Sequence, residues 1–380
     1  MIGLALEGGG ARGAYHVGVV KALYEAGYQF DGFCGTSIGS INAAILAQGD
    51  FDKLHELWMD IQPAQLFGEP LARLMALGER SYSGDLKISL PQLWREIREA
   101  GLDGGVDTKR MKQLISDHID EDKLRASGKL FGLVTVCISE FHPRQFYLDE
   151  IPDGQIVEYL MASASFPGFE PEVIDSRTYV DGGLYNNCPV NMLTDKGYDR
   201  VIAIRTHGPG VYWLPKTDAD ISVIEPSRDL GNVMSFDNAL AKRNIQIGYL
   251  DAQRYLRNLL GFEYFIEPGD PPDFGALFMS LNTEHNPSPL LPTRRELFER
   301  ALPTLGGILK LPTGYSYDDL AIALLQATAR LDNIESLQIL SFAKLASLIT
   351  ESSKDAARSG DDALTLQIGT ALASAMRTVV

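Results

Sequence analysis

Residues 2–6 and 30–34 are short apolar runs, and each ends in a glycine-rich turn followed by residues at helical spacing. The first turn is Gly8-Gly9-Gly10-Ala11-Arg12-Gly13 and the second is Gly35-Thr36-Ser37-Ile38-Gly39. Behind the first, Val17, Val20, Leu23 and Tyr24 mark one face of a helix that Gly27 stops. Behind the second, residues 38–47 are mostly small or apolar, which predicts a helix buried on most sides and closed by Gly49. Strand, tight turn and helix, twice at this spacing, predict a parallel sheet with crossover helices.

Residues 51–105 keep helical spacing but are broken by Pro63, Pro70 and Pro91. From Trp58 to Trp94 they carry many large apolar side chains, which fits a lid or lipid-facing surface and equally a helical layer packed on the core. Asp107-Thr108 starts a helix that runs to about Ile119. Residues 130–138 are nearly continuous in apolar side chains, as in a central strand, and 145–148 is a shorter strand. A helix at 156–163 leads into a small-residue run, and a strand at 177–180 runs into Asp181-Gly182-Gly183. Residues 189–195 make a helical turn, 200–205 and 221–225 are strands, and Ser235 is placed to cap a long helix that Gly261 ends. Residues 269–292 are rich in proline and turn formers and read as a linker. After them, 322–331, 337–349 and 364–376 are helical with no convincing strand. The expected organisation is an α/β domain at 1–268, a linker at 269–292 and a helical C-terminal domain at 293–380.

Composition narrows the function. A formal net charge of −16 argues against nucleic acid and against electrostatic attachment to anionic lipid. Cys34, Cys137 and Cys188 are far apart and lack metal-ligand spacing, so buried reduced thiols are expected. The N-terminus has no basic segment before its apolar run, and no apolar stretch approaches membrane-spanning length. A soluble protein is expected, cytoplasmic or peripheral to a membrane, with export by a signal-less route left open.

Gly35 to Gly39 fits a G-x-S-x-G nucleophile elbow, in which glycines two residues either side of Ser37 permit a strained turn that exposes its hydroxyl. The glycine loop has two readings. As Gly8-x-Gly10-x-x-Gly13 it matches a dinucleotide-binding fingerprint, with Asp31 near the distance of a ribose-binding acid, although Asp31 starts a strand instead of ending one. As an oxyanion hole, its consecutive glycines let backbone N–H groups converge on a substrate oxygen. Of the six histidines, His16, His55 and His118 fall within predicted helices, and neither His207 nor His285 has a suggestive motif around it. Asp181, at a strand end before two glycines, is better placed as a base if burial raises its pKa.

These motifs stand in the order of a known family. The sequence resembles the patatin-like phospholipases, which join a G-G-G-x-[RK]-G loop, a G-x-S-x-G elbow and a D-G-[GA] motif. Here they are Gly8 to Gly13, Gly35 to Gly39, and Asp181-Gly182-Gly183, with supporting blocks at residues 162–171 and at Asn187-Cys188-Pro189. The resemblance covers about residues 1–261. It implies a mainly parallel central sheet with helices on both faces, and a Ser-Asp dyad without histidine, metal or cofactor. Carried over, Ser37 is the nucleophile and Asp181 the base. The loop Gly8, Gly9, Gly10, Ala11, Arg12 and Gly13 forms the oxyanion hole, with the N–H groups of Gly9, Gly10 and Ala11 as donors and Arg12 as a brace, or else a contact for a phosphate. The implied function is hydrolysis of phospholipid or lysophospholipid acyl esters, a reading that leaves room for transient contact with a membrane surface and does not specify the oligomeric state. The alternatives are a dinucleotide-binding oxidoreductase and a non-catalytic lipid-binding protein.

Overall fold

The computed structural model describes residues 1–63, 66, 107–166, 168–281, 293–352 and 360–379. Apart from Leu66, the expected lid or packing layer therefore lies outside the described residues from position 64 on, as do Pro167 and His285.

The chain divides into two compact units, Met1–Ala252 and Gln253–Val380. The first is built on an eight-stranded sheet: β1 (Ile2–Leu6), β2 (Gly32–Thr36), β3 (Leu130–Cys137), β4 (His142–Tyr147), β5 (Glu172–Ile174), β6 (Arg177–Asp181), β7 (Arg200–Ile204) and β8 (Asp220–Ile224). β3, β2, β1, β7 and β8 lie side by side and parallel. β4, β5 and β6 join through antiparallel pairings. The pleat sends alternate residues to opposite faces. Ala5, Cys34, Val134 and Val201 pack with Met192, Leu193 and Tyr198, from and just beyond the helix Val190–Thr194. Gly35, one residue past Cys34, faces the opposite way onto α2 (Ile38–Ala47), which follows α1 (Ala14–Glu25) in the chain. Helices thus cover both faces.

Register explains how distant residues meet. β4 occupies one edge of β3, opposite residues 132–137. The other edge takes β2 against residues 130–134 and then β6 against 135–137. Thr36 pairs with Val134 and Asp181 with Thr135, so the carboxyl ends of β2 and β6 abut. Ser37, the residue after β2, and Asp181, the last of β6, are brought together by one edge of one strand.

Some elements differ from expectation. β4 begins at His142, where polar residues hide its start, and β5 is too short to show a period. The long helix Asn238–Arg257 is capped by Asp237, whose Oδ1 accepts the Leu240 N–H at 2.9 Å, and not by Ser235.

The second unit is mainly helical, with Leu324, Phe278, Leu345 and Ile368 in its core. Its described residues also include a two-residue parallel pair, Phe265–Ile266 with Ile339–Leu340, too short to read from sequence. Residues 269–292, expected as a linker, contain the helix Phe274–Ser280, and its Phe274 and Phe278 are buried in this core. Tyr264 and Ile266 belong to the same core, which is why the division falls before residue 268. Among the described residues no helix is long and apolar enough to cross a membrane.

Candidate active site

Ser37 sits between β2 and α2 with φ 55° and ψ −131°, a conformation that costs a non-glycine residue about 1–3 kcal/mol. Close packing holds it there. A Cβ on Gly35 would lie 2.2 Å from the Gly39 carbonyl oxygen, and one on Gly39 would lie 2.3 Å from that of Leu6. Only glycine lets the turn close on itself and on β1. The Ser37 N–H donates to Ser163 Oγ at 3.0 Å, Ser163 Oγ donates to the Val134 carbonyl at 2.7 Å, and Ser40 Oγ donates to the Ser37 carbonyl at 2.7 Å. The Ser37 hydroxyl takes no part in this bracing.

Asp181 is buried beside it. Its Oδ1 accepts the Gly183 N–H at 2.8 Å, while Oδ2 is buried without a partner of full hydrogen-bond geometry. Burial pushes the carboxyl up to about 6, against the opposing pull of the Ser37 hydroxyl and the Gly183 N–H. Ser37 is therefore near enough to act on the carboxyl, while Oδ2 keeps no hydrogen-bond partner among the described residues, and catalytic hydrogen bonds are often incomplete in ligand-free sites. A hydroxyl next to a carboxyl poised near 6 is the pairing that general-base activation needs.

The glycine loop closes the site. The Gly8 N–H donates to the Asn187 carbonyl at 2.9 Å, that of Ala11 to the Val233 carbonyl at 2.7 Å, and that of Arg12 to the Gly9 carbonyl at 3.2 Å. Ala11, expected as an oxyanion donor, is thus already engaged. The N–H groups of Gly9 and Gly10 donate to nothing among the described residues, and both glycines line the same cavity as Ser37 and Asp181. Gly10 has φ 56°, and a Cβ there would meet the Val233 carbonyl oxygen at 2.1 Å. Arg12 donates from Nε to the Gly231 carbonyl at 2.8 Å, and from Nη1 to the carbonyls of His207 at 2.5 Å and Thr206 at 3.4 Å. It braces the loop from outside the cavity. Gly13 leads into α1, and its carbonyl accepts Asn42 Nδ2 at 3.0 Å. Asp31 lies at the opposite end of the sheet, where its Oδ2 accepts the Ile2 N–H at 2.8 Å, so it cannot serve a ligand at this loop.

The space in and in front of the cavity comes to about 890 Å³, open solvent included. Apolar side chains such as Ile41, Ile45, Trp58 and Phe236 make up most of its described wall. In its floor Trp58 Nε1 donates to Asn42 Oδ1 at 3.1 Å, and Asn42 Nδ2 is 3.1 Å from His16 Nδ1. His16 is fully buried, and its pKa is pushed down to about 3, so it stays neutral. Among the described residues no histidine is hydrogen-bonded to Ser37; His118 reaches the cavity and His207 pairs with Glu225.

The family model described as patatin-like phospholipase matches residues 4–194, just over half of the 380 residues. The chain belongs to the patatin-like phospholipase family. The lysophospholipase NTE1 of Coccidioides immitis is 30% identical over 215 residues, which cover 53% of this chain and 11% of that protein. The human patatin-like phospholipase domain-containing protein 6 is 28% identical over 210 residues, covering 53% of this chain and 13% of that protein. The chain thus matches about an eighth of these relatives' length. The crystal structure of VipD from Legionella pneumophila aligns with a TM-score of 0.40 at 16% identity, over 99% of this chain and 86% of that one.

Several residues that shape this patatin-like site escaped the sequence reading. Glu7 is buried at the end of β1, where Oε2 accepts the N–H groups of Thr206 at 2.6 Å and His207 at 2.9 Å. Its Oε1 accepts Arg205 Nη2 at 3.2 Å. Thr206 Oγ1 donates to the Gly8 carbonyl at 2.6 Å, and Asn187, noted in the sequence only as part of a supporting block, lines the cavity. The one available signal was an acid set between an apolar run and three glycines, where a buried charge requires partners.

Proposed function

We propose that the chain is a serine acyl hydrolase of phospholipid or lysophospholipid esters. Ser37 Oγ bonds to the ester carbonyl carbon as its proton passes to Asp181, and the N–H groups of Gly9 and Gly10 receive the oxyanion. The C–O bond to the alcohol then breaks, and Asp181 returns the proton to the departing oxygen. Water then attacks the acyl-enzyme and gives a proton to Asp181; the bond from the acyl carbon to Ser37 Oγ breaks, Asp181 returns that proton to Oγ, and the fatty acid leaves. Neither step requires a metal or cofactor. Each oxyanion donor is worth about 3–4 kcal/mol in such a transition state, and the amino end of α2 adds a positive dipole at Ser37.

The observation that carries this reading is the buried Asp181 carboxyl, raised to about 6 and next to a strained serine. The apolar wall supports a lipid acyl group. Leu184 and Val211 are about half exposed on segments joined by the bond from the Val211 N–H to the Gly183 carbonyl, close to Asp181. They would touch a lipid surface transiently, and the net charge of −16 favours one without excess negative charge.

The test is hydrolysis of a short-chain ester and of a phospholipid by wild type, Ser37→Ala and Asp181→Asn. Both variants lose about a hundredfold to ten-thousandfold or more on both substrates. Full activity in either variant refutes the pair. Lipid binding without turnover, unchanged by Ser37→Ala, would make the chain a lipid-binding protein instead.

A further inference from the structure

The cavity has a length as well as a mouth. Ser37, immediately before α2, and Ile41 and Ile45 on one face of the helix follow at four-residue intervals, and all three line the cavity. The helix Lys109–His118 contributes Met111, Leu114 and His118 to the same cavity at matching spacing. The far end is fixed by Gln48, just past α2, which donates Nε2 to the His118 carbonyl at 2.9 Å and accepts the Asp120 N–H at 3.0 Å. At 1.5 Å per helical residue, Ile45 lies about 12 Å and Gln48 about 16 Å along the axis from Ser37. An extended hydrocarbon with C–C bonds of about 1.5 Å at about 111° advances about 1.25 Å per carbon.

His118 separates two environments. Its Nδ1–H donates to the Leu114 carbonyl at 2.8 Å, which sets the ring across the last turn of its helix. The same residue also lines a polar cleft with Lys53, Asp117, Asp120, Glu121 and Arg125. A methyl terminus driven past it would meet ionised groups and lose its apolar contacts.

We infer that the cavity is a ruler for a single acyl chain of about ten to thirteen carbons, laid along α2 from Ser37 and stopped by His118. The inference rests on the hydrolase reading for which end holds the ester, and it names the substrate class: esters of one medium-length acyl chain in preference to longer ones.

The test is a series of p-nitrophenyl esters from butyrate to palmitate on wild type, Leu114→Trp and His118→Ala. Fatty acids from octanoate to palmitate are titrated in parallel onto Ser37→Ala, with the fluorescence of the cavity-lining Trp58 as readout. The contact of His118 with Gln48 runs through the backbone carbonyl, so His118→Ala retains it. Leu114 is only partly buried, and folding of the Leu114→Trp variant is checked by circular dichroism. For wild type, kcat/KM peaks near decanoate and laurate and falls beyond. Leu114→Trp lowers the laurate-to-butyrate ratio by about tenfold or more, and His118→Ala raises the palmitate-to-laurate ratio by about threefold or more. Identical length profiles in folded wild type and both variants overturn the ruler while leaving the hydrolase reading intact. Absence of any ester cleavage, with fatty-acid binding to Ser37→Ala that still peaks near laurate, sinks the hydrolase reading and supports the ruler.

Discussion

The two glycine-rich turns look alike as strings, yet they are held in different ways. The elbow at residues 35–39 is fixed mainly by its neighbours, with Gly35 against Gly39 and Gly39 against Leu6, and it stores strain at Ser37. The loop at residues 8–13 is held from far away, by Asn187, Val233 and Thr206 and by Arg12 reaching three distant carbonyls. One turn needs a strand and a helix. The other needs most of the first unit to be folded before its free N–H groups point anywhere. On the proposed mechanism the shape of the nucleophile's turn is set locally, whereas its base and the oxyanion donors are set by the tertiary fold.

The hardest blow to the distant side of this comparison is Gly10→Ala. The new Cβ meets the Val233 carbonyl oxygen at 2.1 Å, and φ 56° disfavours alanine as well. The loop must shift, so kcat falls by about 10²–10³-fold while Ser37 still reacts with a small phosphonate. Equal loss of both activities would mean that the turns are not separable. Arg12→Lys is milder. A lysine cannot span carbonyls from Gly231 to His207 with one planar fork, so kcat drops about tenfold, with a loss of about 1–3 kcal/mol in stability on urea unfolding.

Asp181 tests the charged partner through stability. Its carboxyl lies near 6 when folded and near 3.8 otherwise, so folding favours the protonated form. That contribution is fully present below about pH 4 and is lost as pH rises through about 6, which leaves the wild type weaker by up to about 3 kcal/mol above pH 7. Asp181→Asn should therefore be the more stable protein at pH 8, with the advantage vanishing near pH 4 on paired denaturant titrations. The smallest effect sharpens the local side. Ser37→Gly relieves the positive φ and should exceed Ser37→Ala in stability by about 1 kcal/mol, although both are inactive. If alanine were the more stable, the strain assigned to the elbow would be absent.

Sequence disclosed the elbow well because its determinants are contiguous: an apolar strand, two glycines at fixed offsets and an apolar helix start. It also pointed to Asp181, through the resemblance and the absence of a convincing histidine. It could not show that Ala11 spends its N–H on Val233, because that acceptor lies in none of the family's motifs and, being a backbone carbonyl, carries no side-chain signal. Asn187 was visible only as part of a motif, and Glu7 only as an oddly placed acid. The join of β2 and β6 along β3 depends on register, which periodicity alone does not specify. The buried phenylalanines of Phe274–Ser280 were masked by the prolines and glycines around them.

The central claim is that Ser37 is activated by Asp181. The most direct measurement is the rate of covalent labelling by a fluorophosphonate as a function of pH, with the adduct located by mass spectrometry. One adduct is expected, on Ser37, forming at a rate that rises through pH of about 6, and forming about 10²–10⁴-fold more slowly in Asp181→Asn. An adduct on another residue, or labelling of Ser37 at the wild-type rate in Asp181→Asn, would contradict it.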